Sequence, residues 1–182
     1  MRLGFFLANL LGFQAVWFAG VLGAVHGLPW AGPLTALLFI IAHFIWKSDR
    51  HSDLRMLAIA LPIGLAADSL LAASGMLVYA SPWPSPLLAP PWILAMWAGF
   101  ALTMQHSMGF LRGRWITAAI FGLIGGPLTY WGAAQGFGAV EFKAPLPLAL
   151  ATLGVIWGIA LPAMYALHAA SRRPPPCQGV AA

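Results

Sequence analysis

Six long apolar runs, each closed by proline, glycine or clustered basic residues, leave this chain few ways to fold. They cover roughly residues 4–26, 30–46, 56–79, 91–111, 115–135 and 146–169. A helix that crosses a bilayer needs about 20 mostly apolar residues, and these runs are of that order. Charged residues make up only 7% of the 182 residues and hydrophobic ones 61%. A water-facing surface needs far more charge than that, and disorder needs low hydrophobicity with high net charge. The fold class expected is therefore an all-α membrane protein, a bundle of six transmembrane helices. Strands are not expected, because a membrane barrel would show alternating segments of about ten residues. The first run is too long for a signal peptide, whose apolar region spans about 7–15 residues. It reads as a retained helix.

The punctuation between runs supports the same reading. Gly27-Leu28-Pro29 is a tight turn, Lys47 to Arg55 a charged loop, and Ser81-Pro82-Trp83-Pro84-Ser85-Pro86 a segment that cannot continue a helix. Leu111-Arg112-Gly113-Arg114 is a short basic turn, and Phe137 to Pro147 forms the last loop. Residues 1–170 make one transmembrane domain, and residues 171–182, with Arg172-Arg173-Pro174-Pro175-Pro176 and the single Cys177, a flexible cytoplasmic tail.

Positive charge gives the orientation. The basic residues are Arg2, Lys47, Arg50, Arg55, Arg112, Arg114, Lys143, Arg172 and Arg173. With six crossings, all but Lys143 fall on one side. Cytoplasmic loops carry the excess of Lys and Arg, so both termini are expected in the cytoplasm. The net charge of +5 is then a topology signal, and nucleic acid is not an expected partner. Trp30, Trp83 and Trp92 read as an outer interfacial belt, Trp46 and Trp115 as an inner one. Trp17, Trp97, Trp131 and Trp157 lie deeper, where they pack the core or line a pocket. Gly23-xxx-Gly27, Gly122-xxx-Gly126, Gly132-xxx-Gly136 and Gly154-xxx-Gly158 are spacings that let helix backbones meet.

Two polar layers remain. Counting 1.5 Å per residue from the cytoplasmic charges, Asp68 lies about 20 Å deep, Gln14 about 18 Å and Tyr130 about 24 Å. Pro127 loosens the fifth helix near Tyr130. A charged Asp costs at least about 2.5–3.5 kcal/mol at a helix centre. Asp68 is thus expected to be protonated or paired with a cation, acting as a proton or ligand site with Gln14, Tyr130 and Trp97. Alternatively it is a neutral group bonded to Gln14, Tyr130 or a backbone carbonyl. Nearer the cytoplasm, His43, His106 and His168 each precede a basic residue by four to six positions on the three inward-running helices. They form a candidate metal layer to which His51 and Asp53 could add ligands, with a transition metal as the candidate cofactor or haem on two of them. The alternative is interfacial histidines reaching for headgroups. Phosphate loops, GxSxG turns, HExxH spacing and Cys-His pairs are absent.

The chain resembles an uncharacterised family of small, mainly proteobacterial inner-membrane proteins, a domain of unknown function. The likeness is carried by Gln14-Ala15-Val16-Trp17-Phe18, Leu22-Gly23-Ala24, His26-Gly27-Leu28-Pro29-Trp30, Ala67-Asp68, Pro91-Trp92, Met104-Gln105-His106-Ser107, Gly126-Pro127-Leu128-Thr129-Tyr130-Trp131-Gly132-Ala133 and Ala139-Val140-Glu141-Phe142. The resemblance implies the bacterial inner membrane and no established activity. Relatives encoded near enzymes that modify membrane fatty acids imply a lipid-linked role as an expectation.

Three functions follow as expectations. The first is a non-enzymatic protein that binds or moves a small or lipidic molecule at the midplane polar site. The second is a membrane enzyme or subunit in lipid modification with a histidine-bound metal. The third is a scaffold for a partner membrane protein.

Overall fold

The computed structural model describes residues 3–46 and 50–172. Arg2, Lys47 and the tail from Arg173, including Cys177, lie outside the described residues. Six α-helices make the body: α1 (Leu3–Val25), α2 (Ala31–Trp46), α3 (His51–Ala73), α4 (Pro91–Met104), α5 (Trp115–Phe137) and α6 (Leu146–Ala170). Four of them, α1, α3, α5 and α6, are long and apolar enough to cross a membrane. The chain is thus a helical, multi-pass membrane protein. The other two are shorter, 16 residues for α2 and 14 for α4, or about 24 and 21 Å.

Helix α4 ends earlier than its apolar run predicts. After Met104 the chain turns through His106 and forms a single 3₁₀ turn at Gly109–Leu111. This short helix is the centre of the molecule. It packs against α1, α2 and α3, and ten of its fourteen residues are buried. Pro91 opens it at the first helical position, where a missing N–H costs nothing. Trp92, expected in the outer belt, is only 1% exposed and donates its indole N–H to the Ala80 carbonyl (2.9 Å). Trp30, Trp83, Trp46 and Trp115 are exposed as expected of a belt, and so is Trp131, which was expected deeper.

The third apolar run also resolves differently. Helix α3 starts at His51, inside the expected charged loop, and stops at Ala73. Asp53 favours that start, because an acid in a first turn meets the positive end of the helix dipole. Residues Leu77–Tyr79 then form a strand, β1, which pairs antiparallel with β2 (Val140–Phe142). Strands were not expected at all. Both lie in connections rather than in helices, so their backbones pair with each other. Gly138 (φ 70°) ends α5 and turns the chain into β2. The strand pair thereby ties the α3–α4 connection to the α5–α6 connection, at the end of the bundle opposite His43, His106 and His168.

Glycines set the closest helix contact. Helices α5 and α6 pack along Gly122, Gly126, Gly154 and Gly158. A Cβ at Gly122 would collide with the Trp157 carbonyl, and one at Gly154 would lie 3.0 Å from the Leu123 carbonyl oxygen. Gly132 and Gly136, in contrast, have nothing within 4 Å of an added Cβ, so that pair joins no helices here. Gly23 serves the α1–α2 turn, where the Leu28 amide donates to the Gly23 carbonyl (2.7 Å). Helix α5 runs unbroken through Pro127, as α3 does through Pro62 and α6 through Pro162.

Gly122→Ala should therefore lower stability by about 1–3 kcal/mol, through backbone overlap with α6. Gly136→Ala should be neutral or stabilising by up to about 1 kcal/mol. Thermal unfolding in detergent, followed by tryptophan fluorescence, checks both; equal shifts would contradict the packing described.

Candidate functional site

The middle of the bundle is organised around Asp68. Its side chain comes from the last third of α3 and is fully buried. Oδ1 accepts hydrogen bonds from the Tyr79 hydroxyl (2.7 Å) and the Tyr130 hydroxyl, and Oδ2 accepts from the Trp97 indole N–H (2.6 Å). The donors arrive from β1, α5 and α4, so one carboxylate joins four elements. The two carboxyl oxygens carry enough lone pairs to take all three bonds at once. Each bond gives the acid a partner it would otherwise lack at a depth where an unpaired polar group is costly.

Trp97 is held by shape as well. Its ring lies against Gly64 on α3, where any Cβ would overlap it. On its other face the Trp157 indole stacks at 4.4 Å between centroids and 10° between planes. Trp157 in turn lies over Gly126 on α5. Two indoles are thus clamped between two glycines, one on each flanking helix.

This stack is the floor of a groove. A cavity of about 620 Å³ lies between α1 and α5, two helices that barely touch each other. Phe13, Gln14, Trp17, Trp97, Tyr130 and Trp157 are among its walls. Its lining is mostly apolar with a few polar points, the usual make-up of a small-molecule site. Gln14 sits at the rim, exposed, at the midpoint of α1. Among the described residues its amide has no hydrogen-bond partner. Of the residues expected at this level, Trp97 and Tyr130 face the groove, Gln14 edges it, and Asp68 lies behind the wall, holding the first two in place.

The histidine layer divides in two. His43, on the last turn of α2, and His106, in the turn after α4, both meet Asp53. His43 Nε2 is 2.9 Å from Asp53 Oδ2, and His106 Nε2 is 2.9 and 3.0 Å from the two carboxylate oxygens. His168 lies apart, with both ring nitrogens engaged. Nε2 donates to the Ser52 carbonyl (3.1 Å), and Nδ1 accepts from the Gln105 amide (3.3 Å). Equal depth did not mean common contact, because His168 stands on α6, behind the first turn of α3.

Residues the sequence did not single out complete the polar interior. Tyr79 was counted into the third helix. Asn9, buried on α1, donates to the Leu102 carbonyl (3.1 Å) and accepts from the Ser107 hydroxyl (2.7 Å). Tyr165 donates to the carbonyls of Met104 and Met108 (3.1 and 2.9 Å). A signal was available: only three tyrosines stand beside eleven phenylalanines, and all three are buried with their hydroxyls bonded.

Residues 6–163 match the family described as Protein of unknown function (DUF2878), and the chain belongs to that family. No curated protein and no solved structure matches it.

Asp68→Asn should destabilise the fold more than Tyr79→Phe. The amide turns one acceptor into a donor facing buried donors, costing about 1–3 kcal/mol. Losing the Tyr79 hydroxyl should cost nearer 1 kcal/mol; thermal midpoints of the two variants provide the comparison. Burial, and then the Asp68 carboxylate, push the Tyr79 phenol well above its ordinary value. The folded state therefore keeps this proton where the unfolded chain loses it, and stability should fall as pH rises above about 10. A pH series of melting curves that stays flat there would contradict this.

Proposed function

We propose that this protein is a six-span protein of the bacterial inner membrane, with both termini in the cytoplasm, that binds a lipidic or small hydrophobic molecule in the groove between α1 and α5. Short as they are, α2 and α4 fit two of the six crossings. Helix α2 begins beside the Trp30–Trp83 contact at the end that carries β1 and β2, and its last turn sets His43 beside His106. Residues 105–111 extend the path of α4 toward the same end. Arg50, Arg55, Arg112 and Arg114 gather there, with Lys143 the one Lys or Arg at the β1–β2 end among the described residues, which favours a cytoplasmic basic end.

The observation that carries the binding proposal is Gln14. A buried or lipid-facing amide without a partner costs free energy, and this one sits at mid-span on the rim of an apolar groove. A polar group on a bound molecule would satisfy it. The groove follows α1 from Phe6 to Phe18, about 18 Å, which suits an elongated chain lying along the helix. Its open side faces between two apolar spans, so a ligand would enter laterally from the bilayer. The stacked Trp97 and Trp157 would contact its apolar part, and Tyr130, fixed by Asp68, would face its polar part. The bilayer and a bound lipid are the partners this reading requires. It assigns no catalytic step.

The test is the lipid content of protein purified in mild detergent, read by native mass spectrometry. Wild type should carry a bound lipidic molecule. Gly132→Leu should lose it by about tenfold, a change of about 1.4 kcal/mol in affinity, with its melting midpoint preserved. Gly132 lines the groove and an added side chain there meets open space. Gln14→Leu should alter which headgroup is retained. Wild type free of bound lipid, or Gly132→Leu binding as well as wild type, would refute the proposal.

A further inference from the structure

The basic end of the bundle holds a second polar centre, separate from the groove. His43 stands in the last turn of α2, Asp53 in the first turn of α3, and His106 in the turn that follows α4. Their side chains are 1%, 1% and 8% exposed. One ligand atom from each lies within 4.8 Å of the others. The two imidazole rings stand 4.9 Å apart, and the Phe5 ring packs on both, at 5.6 and 5.2 Å.

We propose that His43, Asp53 and His106 bind one divalent first-row transition-metal ion. Metal bonds of imidazole nitrogen and carboxylate oxygen are about 2.0–2.2 Å. Two such ligands on one ion, at angles of about 90–110°, are then about 2.9–3.5 Å apart. Both Nε2 atoms stand 2.9–3.0 Å from the Asp53 carboxylate oxygens, so those edges already have coordination spacing. The rings are turned with Nε2 toward the same carboxylate, which is the approach that two histidine ligands make to a shared ion. Two nitrogens with one carboxylate suit zinc, iron(II) or cobalt(II). Calcium and magnesium prefer oxygen ligands throughout and should not bind. Three protein ligands leave a further coordination position open.

The surroundings are those of a supported site. His168 bonds Ser52, the neighbour of Asp53, and Gln105, the neighbour of His106. It thereby braces both ligand-bearing turns, as groups around metal centres commonly do. The ion would join α2, α3 and the α4 turn at the end where Arg55 and Arg112 lie. The site does not depend on whether the groove binds lipid.

The experiment uses the full chain without an affinity tag, purified in mild detergent, stripped with chelator and dialysed against zinc or cobalt(II). Elemental analysis should find about one ion per chain, cobalt should give visible ligand-field absorption, and either ion should raise the melting midpoint. Magnesium and calcium should do neither. Asp53→Asn and His43→Asn should each weaken binding more than about tenfold, since losing even a supporting group costs 10–100-fold. His106→Gln provides a third reading should either variant fail to fold. His26→Ala/His51→Ala, which removes two histidines outside the cluster, should bind as wild type. Wild type that retains no ion and shows no shift would overturn the proposal, leaving a hydrogen-bonded triad. Unchanged binding in folded variants of the three ligands would overturn it as well, by locating the metal elsewhere.

Discussion

A buried carboxylate in a nearly charge-free interior must be met by donors, and much of this structure follows from how Asp68 is met. No Lys or Arg is available at its level, so the bonds come from two phenols and an indole. Each donor imposes a position on its element. Tyr79 requires the chain after α3 to fold back as β1. Trp97 requires α4 to lie against α3, and Tyr130 requires α5 to close over both. The β1–β2 pairing then follows, because the connection that carries Tyr79 is next to the one leaving α5.

The second constraint is space. Large indoles at the helix interfaces fit only where the facing residue has no side chain. Gly64 and Gly126 supply that room for Trp97 and Trp157, and Gly122 and Gly154 let α5 and α6 approach. Lipid tails are as apolar as the helices they surround, so close packing rather than water exclusion joins helices in a bilayer. The result is asymmetric. Helices α5 and α6 are closely joined, α4 is enclosed, and α1 stands away from α5, which leaves the groove. The same Asp68 network that closes the core thus stiffens the groove's polar wall.

The two polar centres are of different kinds. The Asp68 cluster is closed and fully bonded, and reaches the groove only through Tyr130 and Trp97. The His43–Asp53–His106 cluster lies at the basic end, where three helix termini meet. Its groups are ligand types, whereas phenols and an indole N–H are hydrogen-bond donors. A buried network behind the groove wall and an end cluster of ligand-type groups thus share no residue.

Much of the architecture was legible from the chain. Helix number, the turn at Gly27-Leu28-Pro29 and the α5–α6 glycine pairs could be read because hydropathy and punctuation are local properties. Asp68 could be read because an acid is costly at that depth wherever its neighbours are. The early ends of α3 and α4 could not, since Leu77–Tyr79 and Gly109–Leu111 are as apolar as the helices before them and only pairing and packing distinguish them. Nor could which of the histidines share Asp53. Depth along a helix follows from counting residues at 1.5 Å each, but which helices adjoin and which way they face does not. The sequence by itself determined a helical, membrane-embedded chain with a costly acid at mid-depth, because burial in lipid selects composition residue by residue. Tertiary structure alone decided that Tyr79 joins Tyr130 and Trp97 on that acid while Gln14 does not, and that Asp53, rather than His168, joins His43 and His106. It also decided that a groove remains beside α1, because contacts between helices depend on their rotation and neighbours, which no local pattern encodes.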